Sequence, residues 1–135
     1  MTLVDSNVLL DLLTEDPKWG DWSSTAIEIV SADGPLMIND IVYAELSVGF
    51  PQIEMLDRFL ADAGLEIAPI PRPALFLAAK THARYRRSGG TRTSVLPDFF
   101  IGAQAAVMNL PVLTRDASRF RTYFPTLEII SPQVN

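Results

Sequence analysis

Thr2-Leu3-Val4-Asp5-Ser6-Asn7-Val8-Leu9-Leu10 opens the chain with three residues suited to a strand, then an acid, then apolar positions at helical spacing. Val8, Leu9, Leu12 and Leu13 fall on one helix face, so the segment predicts a strand that passes directly into a helix. The same alternation continues. Asp16-Pro17 predicts the start of a second helix, with Trp19, Trp22, Ala26, Ile29 and Val30 on one side and Gly34-Pro35 as its stop. Leu36-Met37-Ile38 predicts a second strand, and Asn39 or Asp40 a cap for a helix running to about Val48. After Pro51, residues 52–63 predict a helix ended by Gly64, and residues 65–70 a third strand. A helix over 73–87 closes at Gly89-Gly90, and residues 91–96 predict a loop. Pro97 suits the first turn of a helix reaching about Asn109. Residues 111–113 predict a fourth strand, 117–120 a helical turn and 127–130 a fifth strand. Strands alternating with helices indicate an α/β chain with a parallel sheet covered on both faces. Such sheets carry ligand sites at the carboxyl ends of their strands.

The bulk composition agrees. A chain of 135 residues, 48% hydrophobic and 20% charged, is expected to fold as one domain over 1–135. The absence of cysteine excludes disulfide scaffolds, cysteine metal sites and thiol catalysis. No basic segment followed by a long apolar run suggests a signal peptide. The longest apolar stretch, 99–113, contains Gln104, Asn109 and Pro111 and is too short and polar to span a bilayer. A soluble cytoplasmic protein with no membrane partner is the expectation.

Charge is unevenly distributed. Residues 1–66 hold 13 of the 16 acids and only Lys18 and Arg58 as bases. Residues 67–135 hold three acids and nine bases, so a chain of net charge −5 has a basic second half. Arg84, Arg86, Arg87 and Arg92 precede Asp98, and Arg115, Arg119 and Arg121 surround Asp116. A local positive field of this kind attracts phosphate. The plainer alternative is that Arg84, Arg86 and Arg87 form a solvated helix end, where cations suit the dipole.

Four acids stand out by position. Asp5 follows the first strand, Asp98 lies in the first turn of an otherwise apolar helix, and Asp116 lies just past the fourth strand. Glu45 sits one turn into a helix with Ile41, Val42, Val48 and Gly49 three and four positions away. Each has an ordinary explanation: Asp5 and Asp116 as helix caps, Asp98 as a partner of the helix dipole, Glu45 at a helix edge. Together they predict a cluster at one edge of the sheet. Four carboxylates within about 6 Å repel and raise one another's pKa, and a divalent cation relieves both effects. An all-oxygen set selects Mg²⁺ or Mn²⁺ over zinc, the usual equipment of a phosphodiesterase. Most of the carboxylates would be ligands; Glu45 and Asp116 are the candidates for a general base.

Other chemistry finds little support. His82, the single histidine, lies among Lys80, Arg84 and Arg86 and reads as a surface or partner-contact residue. There is no Gly-x-Ser-x-Gly elbow, no Gly-x-x-x-x-Gly-Lys loop and no Gly-x-Gly-x-x-Gly fingerprint.

Leu3-Val4-Asp5-Ser6-Asn7, Val42-Tyr43-Ala44-Glu45-Leu46, Pro97-Asp98-Phe99-Phe100-Ile101-Gly102-Ala103 and Leu113-Thr114-Arg115-Asp116 together resemble a PIN domain. Their order, spacing and total length are similar to the VapC-type toxins of toxin–antitoxin pairs, as is the closing Arg119-Phe120-Arg121 with Phe124-Pro125. The resemblance implies an α/β/α sandwich around a parallel sheet of about five strands. It also implies Mg²⁺- or Mn²⁺-dependent endoribonuclease activity, a homodimer, and inhibition by a cognate antitoxin. Carried over by position, Asp5, Glu45, Asp98 and Asp116 would form the acidic quartet. Asn7 would support them, and Thr114 would orient the site through its hydroxyl. Ser6 stands where threonine is common, with the hydroxyl retained. Arg84, Arg86, Arg87, Arg92 and Arg115 are the candidate RNA contacts.

Two rival readings remain on the same fold. One is a non-catalytic RNA-binding or scaffold module. The other is a phosphatase or receiver-like domain accepting phosphate on Asp5, which would want an acid at position 7 or a lysine after a late strand. The chain has Asn7, and only Lys18 and Lys80. Trp19, Trp22, Phe50, Met55 and Phe59 are candidates for core or for a groove that takes an amphipathic partner segment.

Overall fold

The computed structural model describes residues 1–92 and 95–132. Five short strands, β1 (Thr2–Val4), β2 (Leu36–Ile38), β3 (Leu65–Ile67), β4 (Val112–Leu113) and β5 (Ile129–Ile130), pair side by side in the order β3-β2-β1-β4-β5. Every pairing is parallel. Parallel neighbours need crossover connections, and helices supply them. These are α1 (Ser6–Leu13), α2 (Gly20–Asp33), α3 (Asp40–Ser47), α4 (Ile53–Asp62), α5 (Arg72–Arg87), α6 (Leu96–Met108) and α7 (Ser118–Tyr123). The architecture is the expected α/β/α sandwich.

Burial follows strand position. All residues of β1, β2 and β4 are buried, as expected of strands covered on both faces, whereas β3 buries only Leu65 and β5 is half-buried at the opposite edge. The core joins Leu3, Val4 and Ile38 of the sheet to Val8 and Leu9 of α1, Val42 and Leu46 of α3, and Phe99, Ile101 and Ala105 of α6. One contact fixes a residue type. A β-carbon at Gly102 would come within 2.4 Å of the ring of Phe124, which is itself buried, so α6 reaches that ring only with glycine there.

The strand order sets the site. From β1 the chain runs outward through β2 and β3, then returns to the other side of β1 to place β4 and β5. The order reverses between β1 and β4, which leaves a crevice at their carboxyl ends. Asp5 and Thr114 are the residues that follow those two strands.

Four local expectations are corrected. Helix α2 starts at Gly20, not at Asp16-Pro17. Asp16 instead accepts the backbone N–H groups of Lys18 and Trp19 at 2.9 and 2.8 Å, folding a turn ahead of the helix. Strand β3 stops at Ile67, because Pro69 and Pro71 have no N–H to continue a ladder. His82 is half-buried, with its ring edge-on to Phe99 at 5.4 Å. Of the predicted loop at 91–96, Leu96 already belongs to α6, and residues 93 and 94 lie outside the described residues. No helix among the described residues is long and apolar enough to cross a membrane.

Candidate active site

Pairing of β1 with β4 in the register Val4↔Leu113 brings Asp5 beside Thr114, and the Asp5 N–H donates to the Leu113 carbonyl at 2.9 Å. Although Asp5 holds the N-cap position of α1, its side chain makes no capping bond. The carboxylate takes a different partner: Thr114 Oγ1 donates to Asp5 Oδ2 at 2.9 Å. The same hydroxyl accepts from Asn7 Nδ2 at 3.4 Å and from the Asp116 N–H at 3.1 Å. Ser6 Oγ lies 3.5 Å from the other Asp5 oxygen. Asp5, Ser6 and Thr114 are all buried. The residues expected to support the acids therefore gather around Asp5, with Thr114 as the hub.

Glu45 and Asp98 approach from helices, and Asp116 from the turn between β4 and α7. Glu45 on α3 is partly buried, and its Oε1 is enclosed without a hydrogen-bond partner. Helix α3 is fixed at its start by Asn39, whose Oδ1 accepts the Val42 N–H at 2.9 Å. Asp98 lies in the first turn of α6, where an acid suits the helix dipole, and it pairs with Arg119. Asp116 is exposed, and its Oδ1 accepts the Ser118 N–H at 3.3 Å and hydroxyl at 3.0 Å. Its local turn-forming role is thus present as well.

These groups act on one another electrostatically. Burial is the main cause that pushes the Asp5 carboxyl up to about 7; the charges of Asp98 and Glu45 add to it, and the Thr114 hydroxyl opposes it. Burial also raises Glu45, helped by Asp98 and partly offset by the Ser6 hydroxyl. Asp98 is raised by burial and by Asp116, against the pull of Arg119. Desolvated, mutually repelling carboxylates in a crevice mark a candidate functional site.

A cation fits this donor set. Every candidate ligand is an oxygen, Glu45 offers a buried atom with no partner, and Asp5 must otherwise take up a proton to relieve its burial. The acids share a neighbourhood without being closed on a single point. Among the described residues no three acids form a ready-made metal cage, and one oxygen of Asp98 is held by Arg119. Adding a cation would therefore require the helix-borne acids to close in around Asp5.

The basic residues divide sharply. Arg115 is committed: its Nε and Nη2 donate to the two oxygens of Asp11 at 2.8 and 3.1 Å, its N–H donates to Asn7 Oδ1, and its guanidinium lies 5.7 Å from the Trp19 ring centre. Asp11 is buried and also accepts from Ser23 Oγ at 2.8 Å. The expected RNA contact at Arg115 is thus a partly exposed arginine already paired with a buried acid. The sequence reading missed Asp11, although Asn7 and Asp11, four apart on an otherwise apolar helix, marked a polar stripe. Arg119, counted only as part of the basic field, touches Asp98 directly. Arg84 lies over Tyr123 at 5.6 Å and donates to its carbonyl, while Arg86 and Arg87 are exposed in the last turn of α5, the solvated helix end. Arg92 is exposed, and its N–H donates to the Tyr85 hydroxyl at 3.2 Å.

Comparison with known proteins follows the same outline. Residues 2–124 match the model of the PIN domain. No curated protein gives a significant sequence match. Among solved structures, the chain is similar to VapBC2 from Rickettsia felis bound to a promoter DNA fragment, with 19% identity, 98% of each chain covered and a TM-score of 0.74. A toxin–antitoxin complex from Klebsiella pneumoniae gives 23% identity, 98% of each chain and a TM-score of 0.68. FitAcB from Neisseria gonorrhoeae gives 20% identity, 96% of each chain and a TM-score of 0.67. At these identities the likeness is one of fold. With the family model matched over nearly the whole length and the acids gathered at the crevice between β1 and β4, the chain belongs to the PIN-domain family.

Proposed function

We propose that this protein is a Mg²⁺- or Mn²⁺-dependent endoribonuclease, a single nuclease domain acting in the cytoplasm as the toxin of a toxin–antitoxin pair. The observation that carries this reading is the buried Asp5 carboxylate at the sheet's switch point, held by Thr114 and repelled by Asp98 and Glu45. Asp5, Glu45, Asp98 and Asp116 are the proposed ligands. Bound there, the cation supplies a water of lowered pKa and neutralises charge on the phosphoryl oxygens. Thr114 keeps Asp5 in one orientation, and Asn7 keeps Thr114 in place. Of the two candidate bases, Glu45 would be the better placed where its unpartnered oxygen is not taken by the cation, since Asp116 Oδ1 already serves Ser118.

The phosphate-accepting alternative is weakened by Asn7. Its amide bonds Thr114 at one end and the Arg115 backbone at the other, so no acid stands two residues beyond Asp5 to assist phosphoryl transfer. A partner site fits the groove lined by Tyr43, Phe50, Ile53 and Leu56, between α3 and α4. Trp22 and Phe59, by contrast, pack against the core without lining the groove. The toxin–antitoxin assemblies that share the fold support an antitoxin as partner; an amphipathic segment of it in this groove, on a homodimer of this chain, completes the proposal.

The test incubates the purified protein and its Asp5→Ala variant with structured RNA, with Mg²⁺, Mn²⁺ or EDTA. Cleavage that needs metal and Asp5 is expected, followed by its loss when the product of the adjacent gene is added. Binding of RNA without any metal-dependent cleavage would instead establish the non-catalytic module.

A further inference from the structure

Among the described residues, Arg115 and Arg119 are the two arginines that contact a carboxylate, and they do so in opposite ways. Arg115 grips Asp11 through two nitrogens, and the acid it grips is only 4% exposed. Arg119 reaches Asp98 through Nη1 alone, in a pair whose side chains are 22% and 28% exposed. In the first pair the acid is interior and outside the proposed metal ligands, while the Arg115 side chain is 30% exposed. The second lies at the edge of the acid cluster, on a residue proposed to bind metal. Helix α7 carries Arg119 next to Phe120, which is buried at 1% exposure and anchors the helix. A guanidinium that lets go of Asp98 therefore stays beside the cluster.

We infer that Arg119 is a tethered counter-cation. It neutralises Asp98 in the metal-free protein, yields that carboxylate to an incoming divalent cation, and is then positioned to contact a phosphate oxygen of the bound RNA. The inference rests on the proposed metal-dependent nuclease reading. The physical basis is competition: a carboxylate oxygen held by arginine is not available as a metal ligand, and the arginine keeps its charge throughout. Once released, its planar fork matches phosphate as well as it matched carboxylate. One side chain thus weakens metal binding before substrate arrives and strengthens substrate binding afterwards.

The test measures Mn²⁺ binding to the RNA-free protein by calorimetry and, separately, RNA cleavage, for wild type, Arg119→Ala, Arg119→Lys and Asp98→Asn. Arg119→Ala is expected to bind Mn²⁺ roughly threefold to fivefold more tightly, the scale of a partly exposed ion pair. The same variant is expected to lose about tenfold in kcat/KM, mainly through KM. Arg119→Lys should restore the wild-type Mn²⁺ affinity but recover cleavage only in part. Unchanged or weaker Mn²⁺ binding by Arg119→Ala, or unchanged kcat/KM, overturns the inference. Asp98→Asn separates the two levels. If it keeps wild-type Mn²⁺ affinity and cleavage, the metal-site reading itself fails. If it loses Mn²⁺ binding while Arg119→Ala changes nothing, only the counter-cation fails.

Discussion

The acid cluster has a strand-borne side and a helix-borne side, and they are built differently. Asp5 and Thr114 leave adjacent parallel strands, are buried, and are joined to each other and to Asn7 by hydrogen bonds. Asp98 and Asp116 leave the start of α6 and the turn before α7, remain partly or fully exposed, and spend oxygens on Arg119 and Ser118. A sheet edge gives fixed positions because each strand end is tied to its neighbour by ladder bonds. Helix starts and turns give positions that can adjust. The comparison assigns preorganisation to Asp5 and closure to Asp98 and Asp116.

The largest effect that would break this division is at Asp5. Asp5→Asn is expected to lower metal-dependent cleavage by roughly 10²–10³-fold, and Asp116→Asn by about tenfold, because an exposed, adjustable ligand is more easily replaced by water. Equal losses in a single-turnover assay would erase the distinction. Next comes the hub: Thr114→Val should cost about 10–100-fold in activity with little change in Tm, since it removes orientation without opening a cavity. Asp11→Ala tests the interior framework behind the site. It leaves Arg115 without its partner and should destabilise the fold by about 1–3 kcal/mol in urea unfolding, with a smaller effect on kcat.

The last effect is a pH dependence of stability. The Asp5 carboxyl titrates near 7 in the folded protein against an ordinary value of 3.8, so between these values the folded state holds a proton that the unfolded state has lost. Its contribution to stability is complete below about 3.8 and disappears as pH rises through about 7. Metal-free protein should therefore lose on the order of ten degrees of Tm across that window from this group. Mn²⁺ should restore them at the alkaline end, and Asp5→Asn should abolish this component. A Tm difference between wild type and Asp5→Asn that stays constant from pH 4 to 8 would contradict the assignment.

Much of this was legible in the sequence, for identifiable reasons. Thr2-Leu3-Val4-Asp5 and Val112-Leu113-Thr114 read correctly because strand, strand end and the residue after it are consecutive. Glu45 stood out because a carboxylate among apolar neighbours needs an explanation, and its partnerless oxygen bears out the oddity. The Asp11–Arg115 pair was not legible as a pair. Its members are 104 residues apart, and only the β1–β4 register brings α1 against the end of β4. The Asp98–Arg119 contact, 21 residues apart between α6 and α7, was hidden because both arginines looked alike in a count of charge. His82 was misread because charged neighbours along the chain suggested solvent, whereas its helix turns it toward Phe99 and Tyr85.

The central position of β1 also has a consequence in time. Its partner on one side, β2, is made soon after it, but its partner on the other, β4, pairs Leu3 with Val112, about 110 residues later in the chain. Contacts of such sequence separation form late in folding because the loop must close first. During synthesis the amino-terminal strands can assemble while Asp5 still lacks the hydroxyl that holds it and Arg115 has yet to reach Asp11. Under the proposed ribonuclease reading, the site stays incomplete until residues 112–116 have emerged and inserted beside the first strand.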